Sequence, residues 1–314
     1  MRNPRKIAVV AHTGKTLDGG LDELRTRLAD EGPDELHWFE VPKSKKAPKQ
    51  VRKALAKDID LLVVWGGDGM VQRTLDTLAE VKGGAKVPVG IIPAGTANLL
   101  ATNLGIPHEL AAAVEIAFRG ERHPLDLGVF NGEHFAVMAG VGFDGAMIHD
   151  ADGKLKDRMG KLAYVWTGIR HVNGEPAKAK IRIDGTEWFN DEASCVLVGN
   201  VSMITGGIQA FDDAKPDDGW LDVGVATAQG AAQWARTLGK MAVGRSDDSP
   251  FVRMTRAREI DVKLKEPMEY ELDGGARKAV RRIKVSVAPA AVKICVPVKS
   301  EVAEKSEVAA SSAA

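Results

Sequence analysis

The sequence predicts two units of different fold class: an α/β N-terminal domain with a parallel sheet, followed by a mainly antiparallel, β-rich second domain. Up to about Pro124, apolar runs typical of strands alternate with segments of helical periodicity. Regular alternation of strands and helices is typical of a parallel sheet covered on both faces. After Pro124, strand-like segments follow one another with turns between them, which favours antiparallel pairing.

The first domain is predicted to contain four strands and five helices. Ile59–Trp65 is an apolar run rich in β-branched residues, which indicates a buried strand. The predicted strands are Lys6–Ala11, Leu36–Val41, Ile59–Trp65 and Val87–Ile92. The predicted helices are Leu21–Ala29, Lys49–Ala56, Met70–Glu80, Thr96–Leu104 and Leu110–Arg119. Each strand but the last is followed by one helix, as a parallel sheet requires.

The second domain is predicted from six short strands and two helices. The strands are Ala177–Ile183, Ala193–Asn200, Gly219–Ala226, Glu259–Leu264, Glu269–Leu272 and Arg282–Val287, and the helices are Lys161–His171 and Ala231–Val243. We therefore expect an α/β domain at 1–127, a β-rich domain at 128–290 and a final strand at 291–298 that returns to the first domain. The tail at 299–314 has few apolar residues and is expected to be disordered.

Composition indicates an ordinary soluble enzyme. The chain has 314 residues, with 43 Lys plus Arg and 43 Asp plus Glu, so overall charge gives no argument for a nucleic acid or another permanently anionic partner, and none is expected. No apolar run approaches the roughly 18–20 residues of a membrane span, and the opening segment does not resemble a signal peptide. Cys195 and Cys295 form no disulfide framework, which favours a reducing cytoplasm.

The segment Gly66-Gly67-Asp68-Gly69 stands between a predicted strand and a predicted helix. A glycine-rich turn at this place exposes backbone N–H groups at the positive end of the helix dipole, which suits phosphate. The carboxylate of Asp68 is suited to Mg²⁺ or to a hydrogen-bond partner of the phosphates. The alternative is a tight structural turn whose glycines only allow unusual dihedral angles.

A second glycine-bearing loop, Pro93–Asn98, follows the next predicted strand. Two consecutive junctions of this kind place two helix N-termini along the edge of a parallel sheet where ligands bind. Thr96 and Asn98 are candidates to bind phosphate, and capping of the following helix explains either residue equally well.

Two other glycine patterns are rejected. Gly14-Lys15-Thr16 resembles the end of a P-loop, but Val9 occupies the position where that motif requires its first glycine. The segment 140–145 has the form GxGxxG and follows the strand-like Phe135–Ala139. The charged loop from Asp150 to Arg158 comes next, where a dinucleotide fingerprint requires a second strand.

The order of further motifs carries a family resemblance. After the two glycine loops come 125–128 (LDLG), 139–144 (AGVGFD), 199–200 (GN), 206–207 (GG), 217–222 (DDGWLD) and 272–274 (LDG). This series resembles the catalytic domain of the diacylglycerol kinase family, and more narrowly the bacterial lipid kinases of that family, which includes sphingosine kinases. The resemblance extends from about Lys6 to Pro297.

The resemblance implies a nucleotide-binding α/β domain similar to NAD kinase and phosphofructokinase, a β-rich domain, and an active site in the cleft between them. It implies ATP as the phosphate donor, cradled by Gly66, Gly67, Asp68 and Gly69, with Gly95 and Thr96 flanking the phosphates. Asp68 and Asp126 match carboxylates that the family uses in an aspartate–water–Mg²⁺ network. For Asp126, an ordinary loop residue is the alternative.

The resemblance also implies a general base and a metal site. Asp273 matches the carboxylate that removes the proton from the lipid hydroxyl, although an Asp-Gly pair is equally typical of a hairpin turn. Asp218, with the carbonyl groups of Lys215 and Trp220, matches a metal site that shapes the second domain. An acidic turn without metal is the alternative.

Three residues depart from the family pattern. Met70 stands where Thr is usual, Leu99 where many members have Asp, and Gly275 where the Glu of a DGE segment is expected. The predicted function is an ATP- and Mg²⁺-dependent lipid kinase acting on a diacylglycerol-like or sphingoid-like lipid. An NAD kinase is one alternative, and a nucleotide- or lipid-binding pseudokinase is another, motivated by Met70 and Gly275.

Two basic clusters, 43–49 and 154–158, are candidates for transient docking of a cytoplasmic enzyme to the inner face of a membrane. Solvated loop charge is the commoner explanation for such clusters. A homodimer is left open.

Overall fold

The computed structural model describes residues 4–142, 176–204, 208–242 and 248–298. The chain divides into two compact units. The described residues 4–125 and 291–298 belong to the first unit, and those between 126 and 290 belong to the second. The predicted helix Lys161–His171, the basic cluster at 154–158, the glycines at 206–207 and the tail lie outside the described residues.

The first unit contains a four-stranded parallel sheet in the order β4-β3-β1-β2. Its strands are β1 (Lys6–His12), β2 (Glu35–Val41), β3 (Leu61–Gly66) and β4 (Pro88–Pro93). Its helices are α1 (Gly20–Asp30), α2 (Ala47–Leu55), α3 (Asp68–Glu80), α4 (Leu99–Asn103) and α5 (Leu110–Arg119). Every residue of β3 is buried, as its continuous apolar run predicts.

The connections after the four strands all leave the sheet at its carboxyl edge, because the strands are parallel. They comprise residues 13–19, 42–46, 67 and 94–98. Short 3₁₀ helices lie at Ser44–Lys46 and Gly84–Lys86. The two predicted glycine loops therefore lie on adjacent strands at one edge, with the connections after β1 and β2 beside them.

The second unit is built mainly from antiparallel strands. They are β5 (Glu121–Phe130, which begins in the first unit), β6 (Glu133–Phe135), β7 (Met138–Val141), β8 (Ala177–Ile183), β9 (Thr186–Ala193), β10 (Cys195–Gly199), β11 (Met203–Ile204), β12 (Ile208–Gln209), β13 (Leu221–Ala226), β14 (Val252–Ala257), β15 (Glu259–Leu272) and β16 (Gly275–Val296). Helix α6 (Gly230–Ala242) interrupts them. The order of the main sheet is β14-β13-β10-β7-β15-β16, with antiparallel pairing at each step.

The core of the second unit is formed by alternating apolar residues of these strands. Val196 and Val198 of β10, Val223 of β13 and Ile260 of β15 all belong to this core. Strand β8 pairs with β15 on one side and β9 on the other, which extends the apolar layer. This is the mainly antiparallel, β-rich domain that the sequence predicts.

The last strand changes units along its length. Residues of β16 up to Ala290 belong to the second unit, and those from Ala291 onward belong to the first. There Lys293 and Ile294 pair in parallel with β4. The left-handed conformation of Ala290 (φ +47°) marks the point of change.

Several element boundaries differ from those predicted. Strand β15 is continuous from Glu259 to Leu272, with register shifts between Lys263 and Tyr270, where two separate strands were expected. Strands β5, β9 and β14 were not predicted at all. Helix α4 begins at Leu99 instead of Thr96, because the preceding residues form a closed loop.

The GxGxxG pattern falls on β7 instead of on a strand-to-helix turn. Gly140 and Val141 lie within this strand, which pairs antiparallel with β10 and β15, so the predicted end of the strand at Ala139 was wrong. An antiparallel strand cannot begin the parallel βαβ unit that a dinucleotide fingerprint needs. The rest of the pattern, from Phe143, lies outside the described residues.

Candidate active site

The glycine segment of the first unit forms the N-terminus of α3. Gly66 ends β3, Gly67 has an extended conformation, and α3 begins at Asp68. The N–H groups of Gly67 and Gly69 lie at the end of the helix where backbone donors have no intrahelical acceptor. This end is also the positive pole of the helix dipole, so the segment is suited to an anionic group.

The two glycine loops touch through their backbones. The N–H of Ala94 donates to the carbonyl oxygen of Gly66 (3.0 Å). A Cβ atom added to Gly67 would lie 2.9 Å from the Cα atom of Gly95, and one added to Gly95 would overlap the Cα atom of Gly67. Glycine is therefore required at both positions by the close approach of the loops, whatever else the loops bind.

Asn98 closes the second loop. Its side chain is 3% exposed and its backbone is left-handed (φ +48°). Its Oδ1 accepts from the N–H of Gly95 (2.9 Å), and its Nδ2 donates to the carbonyl oxygens of Gly95 (2.8 Å) and Pro93 (3.1 Å). Both amide hydrogens are used within the loop, and the side chain makes no capping bond to α4. Thr96 lies exposed in the same bend.

Asp68 supplies the cap that Asn98 does not. Its Oδ1 accepts from the N–H of Leu99, the first residue of α4, at 2.6 Å. Burial raises the pKa of the Asp68 carboxyl, although hydrogen bonds from backbone N–H groups around Leu99 oppose this shift. The carboxylate therefore lies at the N-termini of α3 and α4. It is partly buried, so water solvates its charge poorly.

Two neighbours of this segment were not predicted as site residues. The Oγ of Ser44 lies 3.5 Å from the position of a Cβ atom on Gly69, and the Cβ of His12 lies 3.6 Å from one on Gly66. His12 ends β1 and Ser44 follows β2, so the rule that the carboxyl ends of parallel strands meet at one edge was the available signal.

The departures at Met70 and Leu99 concern buried side chains. Met70 is 2% exposed and lies beneath Gly66, where an added Cβ atom would meet its Cγ at 2.6 Å. Leu99 is also buried and contacts Asp68 through its backbone N–H. Met70 therefore fills the core beneath the loop. Leu99 contacts Asp68 through its backbone N–H, which does not depend on the identity of the side chain.

In the second unit, Asp126 joins three segments. Its side chain is 3% exposed. Oδ1 accepts from the N–H of Ala290 (2.7 Å) and Oδ2 from the N–H of Gly219 (2.6 Å), while its own N–H donates to the carbonyl oxygen of Pro216 (2.7 Å). Asp126 is thus not an ordinary loop residue, because both carboxylate oxygens anchor backbone from distant parts of the chain.

Asp273 has a similar but more extensive set of partners. It begins the two-residue turn between β15 and β16, with φ +45°, so the hairpin geometry is present. Its Oδ2 accepts from Ala136 N–H (2.8 Å), and its Oδ1 from the N–H groups of Val137 and Met138 (both 2.9 Å). The carboxylate, 5% exposed, therefore holds the segment between β6 and β7.

Asn200 connects the two aspartates. Its Nδ2 donates to the carbonyl oxygens of Asp126 (2.8 Å) and Ala136 (3.0 Å), and its backbone N–H donates to the carbonyl oxygen of Val137. Its side chain is 1% exposed, and among the described residues its Oδ1 has no hydrogen-bond partner. A buried acceptor in this state indicates a place for a water molecule or a ligand donor.

The acidic turn at 215–220 is held by an arginine. Oδ1 of Asp218 accepts from the N–H of Trp220 (3.0 Å), and Oδ2 forms an ion pair with Arg256. The guanidinium group of Arg258 lies 4.4 Å from the centre of the Trp220 ring. This set of groups fits a guanidinium partner better than a divalent cation, which would have to displace Arg256. A metal ion at Asp218 and the carbonyls of Lys215 and Trp220 stays a prediction.

The space beside Gly275 is occupied by Arg277. A Cβ atom added to Gly275 would lie 2.8 Å from Nη1 of Arg277, which donates to the Gly275 carbonyl oxygen. Arg277 also pairs with Glu133 of β6, and this ion pair raises the pKa of the guanidinium group. The sequence contained no signal for this contact, because 144 positions separate the two residues.

Among the described residues, no cluster of three or more His, Cys, Asp or Glu side chains has the geometry of a metal site. In the same part of the chain, no helix has both the length and the apolar character needed to cross a membrane.

A glycine-rich segment at a helix N-terminus on a parallel sheet, together with a β-rich unit that has buried carboxylates, fits the class of phosphotransferases that act on alcohol groups. The diacylglycerol kinase catalytic domain family matches residues 10–130, and the YegS C-terminal NAD kinase beta sandwich-like domain family matches residues 136–296. The chain therefore belongs to the diacylglycerol kinase and YegS-like family of lipid kinases.

Individual relatives agree with these matches. The "Probable lipid kinase YegS-like" protein of Pseudomonas aeruginosa is 32% identical over 94% of this chain and 95% of its own length. The "Diacylglycerol kinase" of Bacillus subtilis is 29% identical over 73% of this chain and 75% of its own length.

Solved structures show the same fold. A crystal structure of a Bacillus anthracis protein assigned as a diacylglycerol kinase has a TM-score of 0.78 at 26% identity, covering 94% of this chain and 96% of the other. A yeast NADH kinase has a TM-score of 0.52 at 12% identity, covering 95% of this chain and 85% of the other, which is a likeness of fold alone.

Proposed function

We propose that this chain is an ATP- and Mg²⁺-dependent kinase that phosphorylates a hydroxyl group of a diacylglycerol-like or sphingoid-like lipid. The observation that carries the proposal is the glycine segment at the N-terminus of α3, where the backbone N–H groups of Gly67 and Gly69 suit an anionic group. Family membership supplies the expectation that this group belongs to ATP and that the acceptor is a lipid.

In this proposal the backbone N–H groups of Gly67 and Gly69 bind phosphate oxygens of ATP. Asp68 is the residue that would hold Mg²⁺, which when bound neutralises charge on the phosphates. The lipid hydroxyl oxygen forms a bond to the γ-phosphorus while the bond to the bridging oxygen of ADP breaks. Asp273 accepts the hydroxyl proton.

The proposed setting is the cytoplasmic side of a membrane, with transient docking. Lys43, Lys45, Lys46 and Lys49 are all exposed. Each basic residue near an anionic lipid surface contributes about 1 kcal/mol. Because Ser44 of the same segment lies beside Gly69, these lysines also add positive potential next to the glycine segment.

The direct test is phosphoryl transfer from γ-labelled ATP with Mg²⁺ to a total lipid extract in mixed micelles. Asp68→Asn protein is the matched inactive control, because Asn retains an oxygen that can accept from Leu99 N–H. We expect a labelled lipid that disappears with Asp68→Asn. If the protein binds ATP but forms no labelled lipid, the proposal is overturned.

Two alternatives give different outcomes in the same experiment. An NAD kinase would place the label on NAD supplied in parallel. A pseudokinase, motivated by Met70 and Gly275, would bind ATP or lipid without any transfer to lipid or NAD.

A further inference from the structure

The hairpin that carries Asp273 is tied to β6 by an ion pair that is largely withdrawn from solvent. Nε of Arg277, on β16, donates to Oε2 of Glu133 (2.8 Å), and Nη2 donates to Oε1 of the same carboxylate. The two side chains are 17% and 28% exposed. A two-pronged contact of this kind fixes orientation as well as distance, because the planar guanidinium group matches the two carboxylate oxygens.

The same guanidinium group also holds the turn that contains Asp273. Nη1 donates to the carbonyl oxygens of Gly275 (2.9 Å) and Ala276 (3.2 Å), the first two residues of β16. Gly275 closes the turn by pairing with Leu272, the last residue of β15. Arg277 therefore joins the turn to β6.

Asp273 and Arg277 clamp two neighbouring parts of one segment. Glu133 lies on β6, and the N–H groups that Asp273 binds belong to Ala136–Met138, which follows β6 directly. One clamp is made by the turn itself, and the other is made by Arg277 further along the hairpin. The two clamps together resist rotation of the hairpin against this segment. The position of the Asp273 carboxylate therefore depends on Arg277 as well as on its own hydrogen bonds.

The positive charge of Arg277 also acts on Asp273. The hydrogen bond with Glu133 is the largest cause of the raised pKa of the Arg277 guanidinium group, and the charge of Asp273 contributes in the same direction. This attraction is mutual, so the guanidinium group favours the ionised form of the Asp273 carboxyl, which is the form that accepts a proton.

Glycine at position 275 gives the guanidinium group its place. A Cβ atom on this residue would lie 2.8 Å from Nη1 of Arg277 and would displace it. Gly275 is not one of the glycines with a positive φ, so its backbone conformation does not itself require glycine. The departure from the DGE segment and the position of Arg277 are therefore one feature of this chain.

We propose that Gly275, Arg277 and Glu133 form one unit that positions Asp273 for proton transfer, with Arg277 as the positioning residue. The proposal rests on the proposed lipid kinase function and adds the residues that orient its base. Gly275, which departs from the family pattern, makes room for the guanidinium group in this unit and does not disarm the site.

Steady-state kinetics of phosphoryl transfer to lipid test this role. Arg277→Met retains an extended side chain and removes the guanidinium group. We expect kcat, measured per folded protein, to fall about tenfold or more, because a misplaced base slows the chemical step. KM for ATP and for lipid should stay within about twofold, because Glu133 and two backbone carbonyl groups engage the guanidinium group. Arg277→Lys should retain part of kcat, since Lys keeps the charge without the fork geometry.

Arg281→Met is the matched control on the same strand. Arg281 pairs with Glu266 of β15, and the two side chains are 61% and 65% exposed, so loss of this pair should leave kcat unchanged. Gly275→Ala should lower kcat by displacing the guanidinium group, and the same change should have no further effect in Arg277→Met protein.

A double-mutant cycle tests the unit without relying on kinase activity. Asp273→Asn retains an oxygen that accepts from backbone N–H groups, and Arg277→Met is its partner in the cycle. We expect the unfolding equilibrium constant of the double variant in urea to differ about fivefold or more from the product of the two single effects. The same cycle with Arg281→Met should show no coupling.

The two proposals fail in different ways. A kinase in which Arg277→Met lowers kcat by less than about tenfold, or in which the cycle shows no coupling, would overturn the positioning role and leave the kinase assignment intact. Coupling between Arg277 and Asp273 in a protein that phosphorylates no lipid would support the unit and overturn the kinase.

Discussion

In the first unit, Oδ1 of Asp68 accepts one close hydrogen bond from Leu99 N–H, and burial raises the pKa of its carboxyl. In the second unit, Asp273 accepts three backbone hydrogen bonds, and both oxygens of Asp126 accept one each. Burial is the largest effect on the Asp68 carboxylate, with backbone donors around Leu99 opposing it, whereas Asp126 and Asp273 accept from backbone N–H groups of distant segments.

The three aspartates therefore contribute to the candidate site in two different ways. Asp68 accepts from backbone at the start of α4, in the loop after the neighbouring strand of the same sheet. Carboxylates such as Asp126 and Asp273 organise the backbone around them, and their removal disturbs the fold before it can report on chemistry. The activity of a variant at Asp126 or Asp273 therefore reflects stability as well as chemistry, which is less so for a variant at Asp68.

The largest effect is expected from Asp273→Ala. The change leaves buried N–H groups at Ala136, Val137 and Met138 without their acceptor, at about 1–3 kcal/mol for each group. We expect the free energy of unfolding of the second unit to fall by on the order of 3–6 kcal/mol. Urea unfolding followed by circular dichroism measures this loss.

The matched control is Asp261→Ala, an exposed position on β15, the strand that leads into the turn containing Asp273. It should change stability by less than about 0.5 kcal/mol. If Asp273→Ala were as harmless as this control, the contrast between the two units would be wrong. A loss of kinase activity in Asp273→Ala identifies a general base only when the folded fraction is measured alongside.

Gly95→Ala comes next. The added methyl group overlaps Gly67 and lies 2.5 Å from Oδ1 of Asn98, so the loops must separate. We expect a loss of about 1–3 kcal/mol in stability and nucleotide binding weakened by at least tenfold. Calorimetry of ATP binding, together with thermal unfolding, separates the two effects.

Gly69→Ala is the control in the same segment. Its Cβ atom would meet only Ser44, at 3.5 Å, so the fold should tolerate it. Unchanged ATP binding in Gly95→Ala would show that the contact between the loops is unimportant for the anion site.

Asp68→Asn should preserve the fold while reducing phosphoryl transfer by about 10²-fold or more. Because folding raises the pKa of this carboxyl, the folded protein binds the proton more tightly than the unfolded chain, and ionised Asp68 lowers stability at neutral pH. The penalty present at pH 7 disappears as the pH falls through the raised pKa toward 3.8.

The measurement is the melting temperature of both proteins between pH 7 and 4.5. The variant should equal or exceed the parent at pH 7, and any advantage should shrink as the pH falls. An advantage that grew with acidity would contradict the assigned direction of the shift.

The smallest effect is expected from Arg256→Met, which removes the ion pair with Asp218. The Arg256 side chain is 45% exposed, so solvent screens the pair and we expect a loss of no more than about 1 kcal/mol. Thermal unfolding with and without Mg²⁺ is informative here. If Arg256 occupies the place of a cation, Mg²⁺ should stabilise the variant more than the parent. Equal effects of Mg²⁺ would argue against a cation site at this turn.

Most of the first unit was predictable, because local periodicity dominates there. Helix α5 was predicted with its observed boundaries, and β3 was recognised from its continuous apolar run. The strands of the second unit were harder to predict from the sequence. Strand β9 is rich in exposed polar residues and is held extended by pairing with β8, and β14 is only partly buried and is held by pairing with β13.

The candidate site was also predictable only in part: its motifs could be read from the sequence, but the partners of its residues could not. The order of glycine and aspartate motifs, which is a property of the linear chain, was sufficient to place the protein in its family. The partners of those residues were not predictable, since Asp126 meets Ala290 and Asp273 meets Ala136 across more than a hundred positions.

The sequence by itself determined the two fold classes, the phosphate-suited loop and the family, because these depend on spacing between neighbouring residues. Only the tertiary structure decided which backbone donors meet each aspartate, that Asn98 closes a loop instead of capping a helix, and that Arg256 forms an ion pair with Asp218. The physical reason is that hydrogen-bond saturation and burial depend on which distant segments fold against a side chain.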